Sequence, residues 1–157
     1  MGALQGGRRL SVEAPPQGVR VQADRELLTR VFQNLLENAF KATSPQDGQV
    51  RLVACEEEGG ARVEVHDDGP GIPPELRERV FDKFAQVEAP EARRPQSTGL
   101  GLTFCRLAVE AHGGRIGVKR SDLGGSAFWI SLPADAALAS DPGEGAGSVA
   151  VQDPTRC

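Results

Sequence analysis

The sequence predicts an α+β fold, a two-layer sandwich in which helices cover one face of a mixed, mostly antiparallel sheet. Short segments of alternating apolar and polar residues, typical of strands, lie on both sides of one long amphipathic helix. Strands and helices do not alternate strictly, which argues against a doubly wound parallel sheet. The length of 157 residues suits one domain with its own core.

The first half of the chain is predicted to hold a linker, strands and the long helix. Residues 1–8 are Gly-rich without a period and are predicted to be a linker. Asp24 is a good N-cap for a helix that ends near Thr43, because Ser44 and Pro45 follow and proline cannot continue a helix. Alternation predicts strands on either side of this helix, at residues 9–13, 19–23, 49–55 and 61–66.

The second half is predicted to hold a loop, a short helix, a lid, a helix and two strands. Residues 83–98 have no period, and so long a loop in a compact domain is typically a lid or a disordered segment. Helices are predicted at residues 74–80 and 99–112, and strands at 115–119 and 126–132. Residues 134–157 are rich in Ala, Gly and Ser and are predicted to be a disordered tail or linker, which leaves a domain at 9–133.

Charge and cysteine content limit the function classes. The net charge of −4 argues against a nucleic-acid partner, since phosphate binding needs a basic face. No apolar run approaches the length of a membrane span, so we expect no direct membrane contact and a cytoplasmic location. The cysteines have no Cys-x-x-Cys spacing and are predicted to be reduced thiols, with Cys55 and Cys105 buried as small hydrophobes.

The long helix carries a polar face that is suited to binding a metal and a phosphate. Asn34, Asn38 and Lys41 are spaced i, i+4 and i+7, so they lie together opposite the apolar stripe. Asparagine is a mediocre helix former, and an amide oxygen is a suitable ligand for Mg²⁺. A lysine one turn later can meet a phosphate. The alternative is an ordinary solvated face.

Two Gly-containing segments could bind other parts of a ligand. Asp67 follows a strand and is followed by Gly69 and Gly71, so its carboxylate could accept a hydrogen bond from a ligand whose approach the glycines allow. A tight turn would have the same pattern. Residues 97–102 open a helix, where free N–H groups favour anions. The segment is neither a Walker A loop nor a dinucleotide fingerprint.

Four motifs, in this order, resemble the N, G1, F and G2 boxes of the histidine kinase catalytic domain. They are NLLENA at 34–39 with Lys41, DDGPG at 67–71, VFDKF at 80–84 and TGLGL at 98–102. That domain belongs to the GHKL ATPase superfamily, which includes DNA gyrase, heat-shock protein 90 and MutL, and the resemblance implies its Bergerat ATP-binding fold. Two closing segments also match, at 111–116 and 124–128, so the resemblance runs from about residue 9 to Pro133.

The resemblance implies a role for each candidate residue. Asn38 would hold Mg²⁺, Asn34 would support the metal and phosphates, and Lys41 would contact phosphate; these three are the implied catalytic residues. Asp67 would bind the adenine amino group. The other implied ATP-binding residues are Gly69, Gly71 and Ile72 at the adenine pocket, Phe84 with Phe81 at the base of the lid, and Thr98, Gly99, Leu100, Gly101 and Leu102 along the phosphates. Ordinary core packing is the alternative for the two phenylalanines.

The departures from the wider superfamily indicate what the site does with ATP. Asn34 stands where the related ATPases usually have a glutamate that acts as base for water, and an amide cannot take that proton. The resemblance therefore implies poor hydrolysis, with the γ-phosphoryl group kept for another acceptor. His66 and His112 lack the setting of a phosphoacceptor, so the acceptor histidine is expected outside the chain. Ser97 stands where the family often has glycine, which would stiffen the lid hinge.

The expected function is binding of Mg-ATP and transfer of its γ-phosphoryl group to a histidine, in two-component signal transduction. The expected partners are a histidine-bearing dimerisation domain, in the parent chain or in trans, and a downstream response regulator. The parent could be a membrane-bound sensor of which this is the cytosolic part. Three alternatives stay open: a serine kinase of the anti-sigma-factor type, an ATP-gated hydrolase like gyrase or MutL, and a degenerate regulatory ATP-binding module.

Overall fold

The computed structural model describes residues 2–5, 7–83, 100–134 and 146–151, which form two α-helices and eight strands. The helices are α1 (Arg25–Ala42) and α2 (Gly101–Ala111). The strands are β1 (Gly2–Gln5), β2 (Arg8–Glu13), β3 (Val19–Asp24), β4 (Gln49–Glu57), β5 (Gly60–Asp67), β6 (Arg115–Arg120), β7 (Ser126–Pro133) and β8 (Ala146–Val151).

Six of these strands form one mixed sheet, in the order β1-β2-β4-β5-β7-β6. Only β2 and β4 pair in parallel, and the other neighbours in this sheet are antiparallel. The strands β3 and β8 form a separate antiparallel pair. The predicted α+β sandwich with a mostly antiparallel sheet is therefore confirmed.

The core lies between the sheet and the two helices. Leu28, Val31, Leu35 and Ala39 of α1 are fully buried, as the apolar stripe in the sequence predicts. Burial of a Leu or Val side chain contributes about 1.5–3 kcal/mol relative to exposure, so this stripe fixes α1 on the sheet. The residues that it meets in the same apolar cluster come from the sheet and α2 and include Val50, Val63, Val65, Cys105, Val109 and Ile130.

The start of α1 is tied to the end of α2. Asp24 caps α1 as predicted, because its Oδ1 accepts a hydrogen bond from the Leu27 amide at 2.9 Å. The backbone N–H of Asp24 donates to Nε2 of His112 at 2.9 Å, and Nδ1 of His112 donates to the Ala108 carbonyl at 2.6 Å. Both ring nitrogens of His112 are therefore used to join the two helices, as a structural histidine would be.

Regular structure extends into the segments that were predicted to be linker and tail. β1 pairs with β2, and β8 pairs with β3. Both β2 and β3 would otherwise present an unpaired edge, and such an edge takes up another strand readily. The prediction of no regular structure is wrong for these two segments, while 9–133 stays a prediction for the extent of the domain.

The helix predicted at residues 74–80 is instead two 3₁₀ segments, Pro74–Leu76 and Arg79–Phe81. Their short i→i+3 bonds, such as Leu76 N to Pro73 O at 2.9 Å, replace an α-helical turn. Helices of one turn are marginal, so local propensity alone does not decide between these forms.

The two described cysteines are both buried. Cys105 is a free thiol on α2, and burial raises its pKa to about 12. Cys55 is disulfide-bonded, so the prediction of a reduced thiol is wrong for this residue. Sequence spacing carries no information about such pairing. Within the described ranges, neither α1 nor α2 is long and apolar enough to cross a membrane.

Candidate functional site

Asp67 lies at the end of β5 and is 1% exposed. Its Oδ1 accepts hydrogen bonds from the backbone amides of Gly69 at 2.9 Å and Ser126 at 3.1 Å. The Gly125 amide donates to the Asp67 main-chain carbonyl at 3.2 Å. A carboxylate held by backbone N–H groups has a fixed orientation, which prepares it to meet a ligand in one geometry.

Gly69 and Gly125 lie so close to their neighbours that neither position has space for a side chain. A Cβ at Gly69 would lie 2.6 Å from the Ala42 carbonyl oxygen, and a Cβ at Gly125 would overlap Asp67 Oδ1. Gly71 has φ +77°, which other residues rarely adopt. Ile72 follows it, partly buried against the core. The predicted segment is thus a close-packed wall beside Asp67.

Asp68 follows Asp67 directly and lies in a different environment. It is half-buried, and its Oδ2 accepts a hydrogen bond from the Gln49 amide at 2.9 Å. It therefore fixes the start of β4 against the end of β5. The two adjacent aspartates have different positions, one carboxylate beside the glycines and the other against the start of β4.

The polar face of α1 meets the start of α2. Asn34 and Asn38 are half-buried, and Lys41 is exposed. Asn34 donates from Nδ2 to the Arg30 carbonyl at 2.8 Å, and its Oδ1 lies against Gly101, where a Cβ would be only 2.7 Å away. The structure thus brings two motifs that are 67 positions apart in the sequence into contact at a glycine.

No side chain in the described part of the chain caps the start of α2. Leu100, which is 43% exposed, occupies the cap position, and its carbonyl accepts from the Phe104 amide at 2.9 Å. Gly101 and Leu102, in the first turn, are half-buried. The first amides of a helix need partners from outside the helix, and together with the dipole they favour an anion.

Phe81 is buried and packs edge-to-face on Phe128, with ring centroids 6.2 Å apart. The Phe81 carbonyl accepts a hydrogen bond from Oγ1 of Thr103 at 2.9 Å, and the Arg106 guanidinium lies over the Phe81 ring. Phe81 thus joins the segment that leads into the predicted lid to α2. The candidate residues Phe84, Thr98 and Gly99, and nearly all of the predicted lid, lie outside the described residues.

Gly125 and Ser126 support Asp67, although the sequence assigned them no role. Their backbone amides supply two of the hydrogen bonds described above. The pair Gly124-Gly125 was the signal that could have found them, because adjacent glycines before a strand often mark a close backbone approach.

Known proteins resemble this chain in sequence and in fold. Residues 23–136 match the family model described as "Histidine kinase-, DNA gyrase B-, and HSP90-like ATPase". The sensor protein SrrB of Staphylococcus aureus is 41% identical over 111 residues, which are 70% of this chain and 19% of SrrB. The chain therefore spans about a fifth of the length of this curated relative.

Two histidine kinases of known structure have the same fold. The catalytic domain of ThkA superposes with a TM-score of 0.71 and 31% identity, over 83% of this chain and 81% of that domain. Full-length ShkA in complex with AMPPNP superposes with a TM-score of 0.69 and 33% identity, over 85% of this chain and 27% of ShkA. ThkA in complex with the response regulator TrrA is also similar, with a TM-score of 0.68 and 29% identity over 82% of this chain and 35% of ThkA. The chain therefore belongs to the histidine kinase-, DNA gyrase B- and HSP90-like ATPase family and is a catalytic domain of the sensor histidine kinase type.

Proposed function

We propose that this domain binds Mg-ATP between α1 and the start of α2, and passes the γ-phosphoryl group to a histidine on a separate dimerisation domain. The observation that carries the proposal is the buried Asp67 carboxylate, oriented by the Gly69 and Ser126 amides. Such an arrangement is suited to recognising one hydrogen-bond donor of a ligand.

At the adenine end, Asp67 accepts a hydrogen bond from the exocyclic amino group. A carboxylate has acceptor capacity beyond the two bonds that Oδ1 receives. A guanine base would present a carbonyl oxygen at the same place, and two facing acceptors repel, so the site selects adenine. Gly69, Gly71 and Ile72 form the wall against which the base lies.

At the phosphate end, α1 and the start of α2 both bind the triphosphate. Asn34 and Lys41 contact phosphate oxygens, and the first amides of α2, at Leu100, Gly101 and Leu102, bind the phosphates from the other side. Thr98 and Gly99 complete this loop, as the family resemblance implies. Gly101 has to be a glycine because Asn34 already fills the space in front of it.

The donor set is compatible with Mg²⁺ at Asn38. Its amide is half-buried and has no hydrogen-bond partner within the described part of the chain, and amide oxygens are ligands of the hard type that Mg²⁺ takes. The described part of the chain contains no cluster of three His, Cys, Asp or Glu residues. The other ligands of a Mg²⁺ ion at Asn38 would therefore be water and phosphate oxygens. When bound, the ion would neutralise charge on the phosphates.

The acceptor histidine lies on another segment, since neither histidine of this chain is suited to the role. His112 is 1% exposed and uses both ring nitrogens in backbone hydrogen bonds. His66 is 6% exposed and lies between Glu64 and Ser121. Asn34 provides no base for water, which preserves the phosphoryl group for transfer. The partners are therefore a histidine-bearing dimerisation domain and a response regulator, acting in the cytoplasm.

Calorimetric titration with ATP, with and without Mg²⁺, tests the site. We expect the wild type to bind, Asp67→Ala to lose binding, and Asn38→Ala to lose mainly the Mg²⁺ dependence. Glu58→Gln, at an exposed position on the β4–β5 turn, serves as the control and should bind like the wild type. A wild type that fails to bind ATP would overturn the proposal.

Mixing the domain with a sensor kinase's histidine-bearing dimerisation domain and γ-labelled ATP tests the transfer. Acid-labile, base-stable label on that partner is the expected result, because phosphohistidine has this stability. Acid-stable label on a serine would contradict the histidine kinase assignment, and so would steady release of free phosphate without any labelled protein.

A further inference from the structure

The turn between β6 and β7, residues 121–125, contacts both faces of the sheet at the end of β5. His66 and Asp67 are neighbours on that strand, so their side chains point to opposite faces. Ser121 and Asp122 contact His66 on the outer face, the one away from the helices. Gly125 contacts Asp67 on the inner side. We call residues 121–125 the adenine-side turn.

On the outer face, the adenine-side turn is anchored by a buried chain of hydrogen bonds. His66 is 6% exposed, and its Nδ1 lies 3.1 Å from Ser121 Oγ. Ser121 is also buried, and its Oγ accepts from the Leu123 amide at 3.1 Å. Nε2 of His66 lies 2.9 Å from Glu64 Oε2. Because a carboxylate only accepts, Nε2 of His66 donates its proton to Glu64, which holds the ring with Nδ1 facing Ser121.

A second, exposed anchor lies beside this chain. Arg51 of β4 pairs with Asp122, and the hydrogen bond from Arg51 lowers the pKa of that carboxyl. Asp122 Oδ1 also lies 3.2 Å from Nδ1 of His66. The Asp122 side chain is 64% exposed, and exposed ion pairs contribute little by themselves. The buried Ser121–His66 contact is therefore the main anchor.

On the inner side, the same turn supplies the amides that orient Asp67. The turn is closed by hydrogen bonds from Ser121 N to Gly125 O at 2.8 Å and from Gly124 N to Ser121 O at 3.1 Å. The Gly125 amide then bonds the Asp67 carbonyl, and the Ser126 amide bonds Asp67 Oδ1. Two consecutive glycines, one of them with φ +107°, make this turn intrinsically permissive, so its position depends on its anchors.

We propose that Ser121, held by His66, is a positioning residue for adenine recognition. It fixes the adenine-side turn so that the Gly125 and Ser126 amides keep the Asp67 carboxylate in the orientation that an adenine amino group requires. This inference rests on the proposed role of Asp67 as the adenine acceptor. Ser121 and His66, two buried side chains on the outer face of the sheet, would then help to determine nucleotide selectivity.

The test compares ATP with inosine triphosphate, which has a carbonyl in place of the adenine amino group. For Ser121→Ala, the Kd for ATP should rise about fivefold, the equivalent of one hydrogen bond of about 1 kcal/mol. The Kd for inosine triphosphate should change much less, because that ligand has no amino group at C6 for Asp67 to accept from. Ser121→Thr keeps the hydroxyl and should restore the wild-type ratio of the two dissociation constants, while Glu58→Gln should leave that ratio unaltered.

The outcomes separate this inference from the proposed function. Equal weakening of both ligands by Ser121→Ala, with circular dichroism showing a folded protein, would assign Ser121 a purely structural role and overturn the inference. An unchanged Kd for ATP would also overturn it. A wild type that does not prefer ATP to inosine triphosphate would overturn the role of Asp67 itself, and the inference with it. His66→Gln is the second variant, and it should weaken ATP selectively like Ser121→Ala.

Discussion

Two buried carboxylates on β5, Glu64 and Asp67, lie on opposite faces of the sheet and are held in different ways. Glu64 is 4% exposed and is bound by side chains, namely His66 Nε2 at 2.9 Å, Lys119 Nζ at 2.7 Å and Arg62 Nε at 2.7 Å. Asp67 is 1% exposed and receives the backbone amides of Gly69 and Ser126. One carboxylate is bound by three side chains, two of them cationic, and the other is oriented by the main chain.

This difference in hydrogen-bond partners indicates that the two carboxylates have different roles. Burial by itself raises the pKa of Glu64, but hydrogen bonds from His66, Lys119 and Arg62 outweigh it and hold that pKa well below its usual range. The aromatic ring of Trp129 lies beneath Arg62, with the guanidinium 4.5 Å from the ring centroid. Glu64 thus ties strands together on the outer face, whereas backbone amides hold Asp67 in the orientation that its proposed role in nucleotide binding requires.

Gly125→Ala should have the largest effect on ATP affinity. It displaces the Asp67 carboxylate and leaves the contacts of Glu64 in place. A Cβ there would overlap Asp67 Oδ1 and lie 2.5 Å from the Gly69 amide nitrogen. We expect ATP affinity to fall about a hundredfold or more, since overpacking of about 3 kcal/mol has to be relieved by moving Asp67. Calorimetry measures the affinity. Gly59→Ala is the control, because alanine strains the backbone there at φ +79° but its Cβ meets open space, so ATP affinity should stay close to wild type. Wild-type affinity in Gly125→Ala would show that the Asp67 orientation does not matter.

The sequence predicted the inner face of the sheet much better than the outer one. The apolar stripe of α1 and the segments around Asp67 and Gly101 carry local patterns, so their elements could be predicted from spacing. Glu64 and His66 alternate with Val63 and Val65 as solvent-facing residues would, yet both are buried. Their burial comes from side chains on β6 and β7, such as Lys119 and Trp129, and no local pattern records those contacts.

The contact between Asn34 and Gly101 could be inferred only in part. Each residue belongs to a recognisable motif, but the close approach that makes Gly101 necessary depends on how α1 and α2 pack. The pairing of β1 and β8 was missed for a different reason. Their composition is that of a linker, and their strand conformation comes from the open edges of β2 and β3 rather than from propensity.

Glu64→Gln should lower the free energy of unfolding by about 2 kcal/mol, because it removes the charge that His66, Lys119 and Arg62 share. The partners keep some access to water, which limits the loss. ATP affinity should stay close to wild type, since the amide oxygen of the variant can still accept from His66. Urea unfolding followed by Trp129 fluorescence measures the stability. If Glu64→Gln weakened ATP binding as strongly as Asp67→Ala, the division between the two carboxylates would be wrong.

Lowering the pH should remove about 1–2 kcal/mol of the contribution that Glu64 makes to the free energy of unfolding. The folded-state pKa is lowered, so the contribution is complete above the ordinary glutamate pKa of about 4.3 and is lost as the pH falls through and below that value. The stability gap between the wild type and Glu64→Gln should therefore narrow between about pH 6 and pH 3. Urea unfolding at each pH gives the gap. The Glu58→Gln control should follow the wild type, and a constant gap would contradict the lowered pKa.

Lys119→Gln should have the smallest effect, about 0.5 kcal/mol of stability. Its side chain is 46% exposed, so water already solvates the ammonium that meets Glu64, and the bond replaces hydration rather than adding to it. Arg62 is only 20% exposed and stacks on Trp129, so Arg62→Gln should cost clearly more in the same urea unfolding experiment. If both variants lost the same free energy of unfolding, the distance to Glu64 alone would determine how much each contact stabilises the fold. A larger loss for Arg62→Gln would show that the buried, stacked cation carries most of the pairing on the outer face.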